Sequence, residues 1–183
     1  MAVNSEDFEL GPAQTTFDGT DLGGDEGDTT VTITTDSADL LCNQLGSQPA
    51  NKVIIGRGAT VKVPMAEITL ANFLRTLPGA RLVTDAMDSA KKKLVLAQGI
   101  GSKAIGTSGL AKQIVVKPYV DGVPSTNATT GKWFTFPKSF PVSTFELPYN
   151  RSGQRVLMVE FAVLPDPSNG NILGWVGDTP AAS

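Results

Sequence analysis

The chain has no histidine and a single cysteine, Cys42. Without histidine there is no Ser-His-Asp or Cys-His relay, no imidazole metal ligand and no side chain that titrates unperturbed near neutrality. One thiol excludes an internal disulfide and a multi-cysteine zinc site. Nor is Cys42 read as a nucleophile, since no histidine stands ready to activate it. No apolar run approaches the roughly 20 residues that a membrane-spanning helix needs. The opening decapeptide, MAVNSEDFEL, is acidic and lacks the apolar stretch of a secretory signal. The chain is therefore expected to be soluble, in a reducing cytoplasm, with no membrane contact. A formal charge of −3 gives no global basic field for nucleic acid.

What is present is abundant turn chemistry. Nineteen glycines and twelve prolines in 183 residues suit short strands better than long helices. Residues 1–10 read as an arm, 11–178 as one domain and 179–183 as a tail. Ala13 to Phe17 suits a short strand. The stretch DGTDLGGDEGD, residues 18–28, is a glycine and acid loop. It lacks the D-x-D-x-D-G spacing of a calcium loop, so it reads as solvated rather than metal-binding. Thr29 to Thr35 alternates threonine with Val31 and Ile33, the pattern of a half-exposed strand.

Residues 36–51 are less regular. Leu40, Leu41 and Leu45 are apolar, while Gly46 and Pro49 interrupt them. The segment reads as a long connection, or the tip of an extended hairpin joining strand 29–35 to strand 52–65. Its leucines are candidate inter-subunit contacts. The segment is expected to order only on assembly, because its apolar residues need a partner surface.

The stretch NKVIIGRGATVKVPMAEITLANFLRTLP begins as a strand and ends as a helix. Ala59, Val61, Val63 and Met65 share one face, and Lys52, Thr60 and Lys62 point the other way. The Gly56-Arg57-Gly58 break predicts a bulge or a close backbone approach. Pro64 belongs at an edge or a strand end, having no N–H for the ladder. Thr69 is placed to cap a helix with apolar residues at 70, 73, 74 and 77, stopped by Pro78-Gly79. Two turns are too short to stand alone, so that stripe is expected to lie on a sheet.

Further strands are expected at Lys93 to Gln98, Lys112 to Val120, Lys132 to Pro137 and Arg155 to Leu164. The last is apolar on both faces save Glu160 and is the best candidate for a central strand. PDPSNGN after it is a turn cluster. The basic run Lys91 to Lys93 reads as a solvated strand start. The glycine-rich loop 99–109 has neither phosphate-loop spacing. Trp133, Phe134, Phe136 and Phe140 read as core plus one interface anchor, rather than a base-stacking platform. No residue is assigned a catalytic, cofactor-binding or metal-ligating role.

Four segments in order carry a resemblance. They are GPAQTTFDGTDLGGDEGDTTVTI, the long connection ending in Gly46, VIIGRGATVKVPMAEITLANFL, and VEFAVLPDPSNGNILGWVGD. Together, over roughly Leu10 to Asp178, the chain resembles a bacteriophage major tail tube protein. Lys91 to Lys93 and the loop 120–131 have no counterpart in that pattern. The resemblance implies a mainly β fold of two packed antiparallel sheets, a β-sandwich or partial barrel, with one short α-helix and a long loop or hairpin. It also implies hexameric rings that join sheets between subunits and stack into a tube for genome delivery. The implied partners are further copies of the chain, a tape-measure protein and transiently DNA in the lumen, and a sheath where the tail is contractile. The implied location is the virion tail, assembled in the host cytoplasm.

Lys52, Thr60 and Lys62 are the candidate lumen-facing residues. Their positive charge should then be offset by carboxylates on adjacent strands or loops, the loop 18–28 being nearest in sequence. A tail terminator or head–tail connector ring is the alternative within virion assembly. A small nucleotide hydrolase, or a carbohydrate-binding sandwich using Trp133 or Trp175, represents the other classes. The absent histidine, cysteine clusters and phosphate loop argue against the hydrolase.

Overall fold

The computed structural model describes residues 11–24, 26–41, 48–96, 109–128, 132–142 and 153–178. The fold is mainly β. Strands β1 (Ala13–Phe17), β2 (Thr20–Asp21), β3 (Thr30–Leu41) and β4 (Pro49–Met65) precede the helix α1 (Leu70–Thr76). After it come β5 (Arg81–Thr84), β6 (Lys92–Val95), β7 (Lys112–Val120), β8 (Val123–Pro124), β9 (Phe134–Val142), β10 (Leu157–Val163) and β11 (Trp175–Val176). The large sheet runs β2-β1-β7-β9-β10-β4-β3, with β11 on β9 and β8 on β7; β5 and β6 form a separate pair. Among the described residues these strands all pair antiparallel.

The two packed layers belong to one continuous sheet that folds over at β9. Phe134 to Phe136 pair with β7, Ser139 pairs with both β7 and β10, and Phe140 to Val142 pair with β10. Pro137 lies between the two halves, and β7 shifts register between Lys112 and Ile114 at the same place. A strand that bends and changes partners is how one sheet turns a corner. The result sets β1 against β10, with β7 and β9 between them in the sheet, and brings the Phe17 and Phe161 rings 4.9 Å apart. The core fills the space between the layers, and Val61, Met65, Ile114, Leu157 and Phe161 are fully buried in it.

Strand β4 behaves as its alternation predicts near the core. Ala59, Val61, Val63 and Met65 are buried. Pro64 sits one residue from the strand end, past the last β3 pair, Thr30↔Lys62; its carbonyl accepts from the Glu26 amide at 3.1 Å. Strand β10 is central, between β9 and β4, but only one face is covered: Leu157, Val159, Phe161 and Val163 are buried, whereas Met158 is exposed.

Of the two readings of segment 36–51, the described residues follow the extended hairpin and not the irregular connection. They continue the β3–β4 ladder out to Leu40↔Asn51 and Leu41↔Pro49. Small and polar residues accept a strand solvated on both faces, and the ladder itself is made by backbone groups that need no side-chain pattern. A bulge is present, but its register shift falls between Asp36 and Ser37, opposite Gly56 and Ile54. Gly58 is instead a close approach: a Cβ there would lie 2.9 Å from the Thr34 hydroxyl.

The helix starts where expected, with the Thr69 hydroxyl accepting from the Asn72 amide at 3.1 Å. Its orientation is a correction. The buried side chains are Asn72 and Thr76, while Leu70 stays 43% exposed. Of the predicted stripe, Phe73 packs on the core and Leu74 and Leu77 are half-buried. The polar pair is satisfied internally. Asn72 donates to the Leu22 and Glu67 carbonyls at 3.1 and 2.8 Å, and Thr76 donates to the Asn72 carbonyl at 3.0 Å. A buried amide with its donors met is tolerated where an unmet one is not.

Candidate functional site

The feature that stands out is a two-stranded ribbon. Strand β10 flanks β4 only over Thr60 to Met65. From Ala59 outward to Pro49, β4 pairs with β3 alone. These eleven residues, Pro49 to Ala59, reach about 35 Å as strand. Such a ribbon is at best marginally stable in water by itself. It also carries apolar side chains that the domain does not cover: Leu40, Leu41 (69% exposed), Val53, Ile54 and Ile55 (68%). Leu45 and Cys42 lie outside the described residues.

The bulge rearranges the predicted polar face. From Thr30↔Lys62 to Asp36↔Gly56 the register is constant; beyond it, Ser37 faces Ile54 and Asp39 faces Lys52. Side chains alternate with period two and paired residues share a face, so one extra residue in β4 puts its later even-numbered side chains on the opposite face of the sheet. Lys62 and Thr60 therefore oppose Thr30 and Thr32, while Lys52 opposes Asp39 from the reverse side. The three residues do not form one continuous face. Each lysine has a cross-strand carboxylate: Lys62 Nζ is 3.4 Å from Glu160, and Lys52 Nζ is 3.3 Å from Asp39. The acidic loop does not supply these charges. Asp18 pairs with Lys112 at 3.5 Å, and Asp21 accepts from Gln14 at 2.6 Å.

A second feature is the gap between the layers. An apolar groove of about 360 Å³ opens between the β3–β4 pair on one side and β9 with residues 172–176 on the other. Ile33 and Ala59 form one wall, Phe134 and Phe136 the other, and Leu173 and Trp175 close one end. It shares Phe134 and Val176 with a neighbouring hollow of about 410 Å³ lined by Val31 and Val116. The 3₁₀ turn Pro167–Asn169 precedes the segment that closes the groove. Asp166 holds that turn: its carboxylate accepts from the Ser168 amide at 3.2 Å and from Asn169 Nδ2 at 3.3 Å, and pairs with Lys138 Nζ at 3.2 Å. Burial is the largest influence on this carboxyl and pushes its pKa up. The hydrogen bonds from Lys138, Ser168 and Asn169 and the Lys138 charge together outweigh burial and hold it below its ordinary value.

The remaining sequence candidates fall elsewhere. Phe136 is core, and Phe134 stacks on it at 6.5 Å. Trp133 lies under Lys117, whose Nζ is 4.3 Å from the ring centroid. That cation covers one face of the indole, as in a cation–π pair. Lys91 pairs with Asp88 at 3.3 Å, and Lys92 and Lys93 begin β6 exposed. The glycine-rich loop lies outside the described residues apart from Gly109. Among the described residues no group of three or more Cys, Asp or Glu is placed to hold a metal ion, and no helix is long and apolar enough to cross a membrane.

The groove is what sequence reasoning missed. Its walls come from both ends of the chain, and no local motif marks it. The chain matches no protein-family model and no curated protein.

Proposed function

We propose that this protein is a structural subunit that assembles into rings, and that the rings stack into the tube of a phage tail. The observation that carries the reading is the bare β3–β4 ribbon. Apolar side chains on an unsupported two-stranded arm favour a partner surface. Strand β3 is also the outer strand of its sheet. A long open edge is a liability unless something pairs with it, and a closed ring of subunits removes it.

In this reading the ribbon residues Leu40 and Leu41 contact neighbours. The sheet face bearing Thr30, Thr32, Thr60 and Lys62 lines the lumen, where tape-measure protein and then DNA pass. Its charge is balanced by Glu160 across the strands. A balanced lumen suits transit, because a basic wall would hold DNA through many phosphate contacts.

Sedimentation velocity and negative-stain microscopy of the purified protein test this. Rings or tubes are the expected result. A strictly monomeric protein at high concentration would overturn the reading. Rings that never stack would favour a terminator or connector instead.

A further inference from the structure

We infer that the groove between the two layers is the acceptor for the β3–β4 ribbon of a second copy of this chain. The inference rests on the assembly reading above and names the surface that reading leaves open.

Donor and acceptor match in chemistry. The ribbon presents Leu40, Leu41, Val53, Ile54 and Ile55 to solvent. The groove presents Ile33, Phe134, Leu173 and Trp175, and it is continuous with the hollow beside Val31 and Val116. Both surfaces are apolar, and burying either against the other removes area from water at about 25 cal/mol per Å². Charge agrees as well. Arg57 lies at the groove and Asp36 on the ribbon, and among the described residues neither has an ion-pair partner.

The ribbon cannot serve its own groove. Ile33 and Arg57 belong to the root of the ribbon and also line the groove. The ladder runs outward from that rim with register shifts at Asp36/Ser37 and Leu40/Leu41. Folding the tip back would break the hydrogen bonds that make it a ribbon. The occupant therefore comes from another molecule. The contact is then heterologous, ribbon of one copy to groove of the next, and such a contact propagates into a ring or a stack.

Thiol cross-linking in a Cys42→Ser background tests it. One protein carries Ile54→Cys. A second, made larger by a tag, carries Val176→Cys at the groove mouth, or Lys93→Cys on β6 as the comparison. All three positions are exposed, so folding should be unaffected. Mixtures are assembled, treated with a short bis-maleimide and resolved by mass.

The expected result is a mixed dimer from Ile54→Cys with Val176→Cys, several-fold more abundant than from Ile54→Cys with Lys93→Cys. Three outcomes would overturn the inference: equal yields, ribbon-to-ribbon dimers of Ile54→Cys in excess over the mixed species, or no mixed species. If microscopy shows rings in those samples, the acceptor assignment fails and the assembly reading stands. If it shows monomers only, both fail.

Discussion

Asn72 Nδ2 lies 3.1 Å from the carbonyl oxygen of Leu22 and 2.8 Å from that of Glu67. One side-chain amide thus ties the helix to the loop that follows β2 and to its own approach segment. Leu22 is fully buried, and Asn72 is 5% exposed. Replacing Asn72 with leucine would leave the Leu22 carbonyl without this donor. An unmet buried group costs about 1–3 kcal/mol. Asn72→Leu is therefore expected to lower the urea midpoint at unchanged slope. An unchanged midpoint would show that the helix is held by Phe73 instead.

The groove wall depends on a missing side chain. A Cβ on Gly174 would collide with the Thr135 carbonyl and the Phe136 ring. Neither gives way readily, since Thr135 is paired with Trp175 in the ladder and Phe136 is core. Gly174→Ala is expected to destabilise by about 1–3 kcal/mol, as overpacking does. At Gly24 a Cβ would meet nothing and the backbone is not left-handed. Gly24→Ala should stay within about 0.5 kcal/mol. Equal denaturation midpoints for the two variants would refute the packing argument.

Acid should loosen the turn beside the groove. The folded-state pKa of Asp166 is depressed, so its contribution is fully present above the unfolded value of about 3.9. It is lost as pH falls through the folded value. Asp166→Asn should be less stable than the parent near neutrality, and the gap should close below about pH 4. Urea midpoints across that range give the check; a gap independent of pH would place the contribution in packing rather than charge.

Lys62 and Glu160 face each other across β4 and β10 with about half of each side chain exposed. Solvent screens such a pair, and a double-mutant cycle should return about 0.2–1 kcal/mol of coupling, falling with salt. In the proposed tube its effect would be larger. With summed lumen charge per subunit at zero or below, Glu160→Gln would expose Lys62 and raise DNA retention by assembled tubes. A solved ring whose lumen is dominated by unpaired lysine and arginine would contradict this.

Hydrogen exchange separates the ribbon from the core. Amides of Thr60 to Lys62 lie in the three-strand region of β4, whereas those of Lys52 to Ile55 have only β3 beside them. The outer set should exchange faster in the free chain and slow on assembly. Equal rates before and after assembly would mean that the ribbon gains no partner.

Much of this molecule is legible in its residues. Alternation at Ala59, Val61, Val63 and Met65 determines the inward face of β4, because a strand's period leaves no other way to bury four apolar side chains. Thr69 and Pro78-Gly79 bound the helix through local backbone chemistry. Missing histidine removes whole classes of catalysis before any fold is known. Three other features were decided by tertiary structure. Which side of α1 turns inward depended on the Leu22 and Glu67 carbonyls, which lie outside the helix and recruit Asn72 over Leu70. The face occupied by Lys52 depended on a single bulged residue, whose place follows from pairing with β3 and not from β4 itself. The groove exists because β9 bends at Pro137 and brings strands 100 residues apart in order of magnitude against each other across one interior. Local sequence sets periods and caps; contacts between distant segments have no local signature, so only the folded chain reveals them.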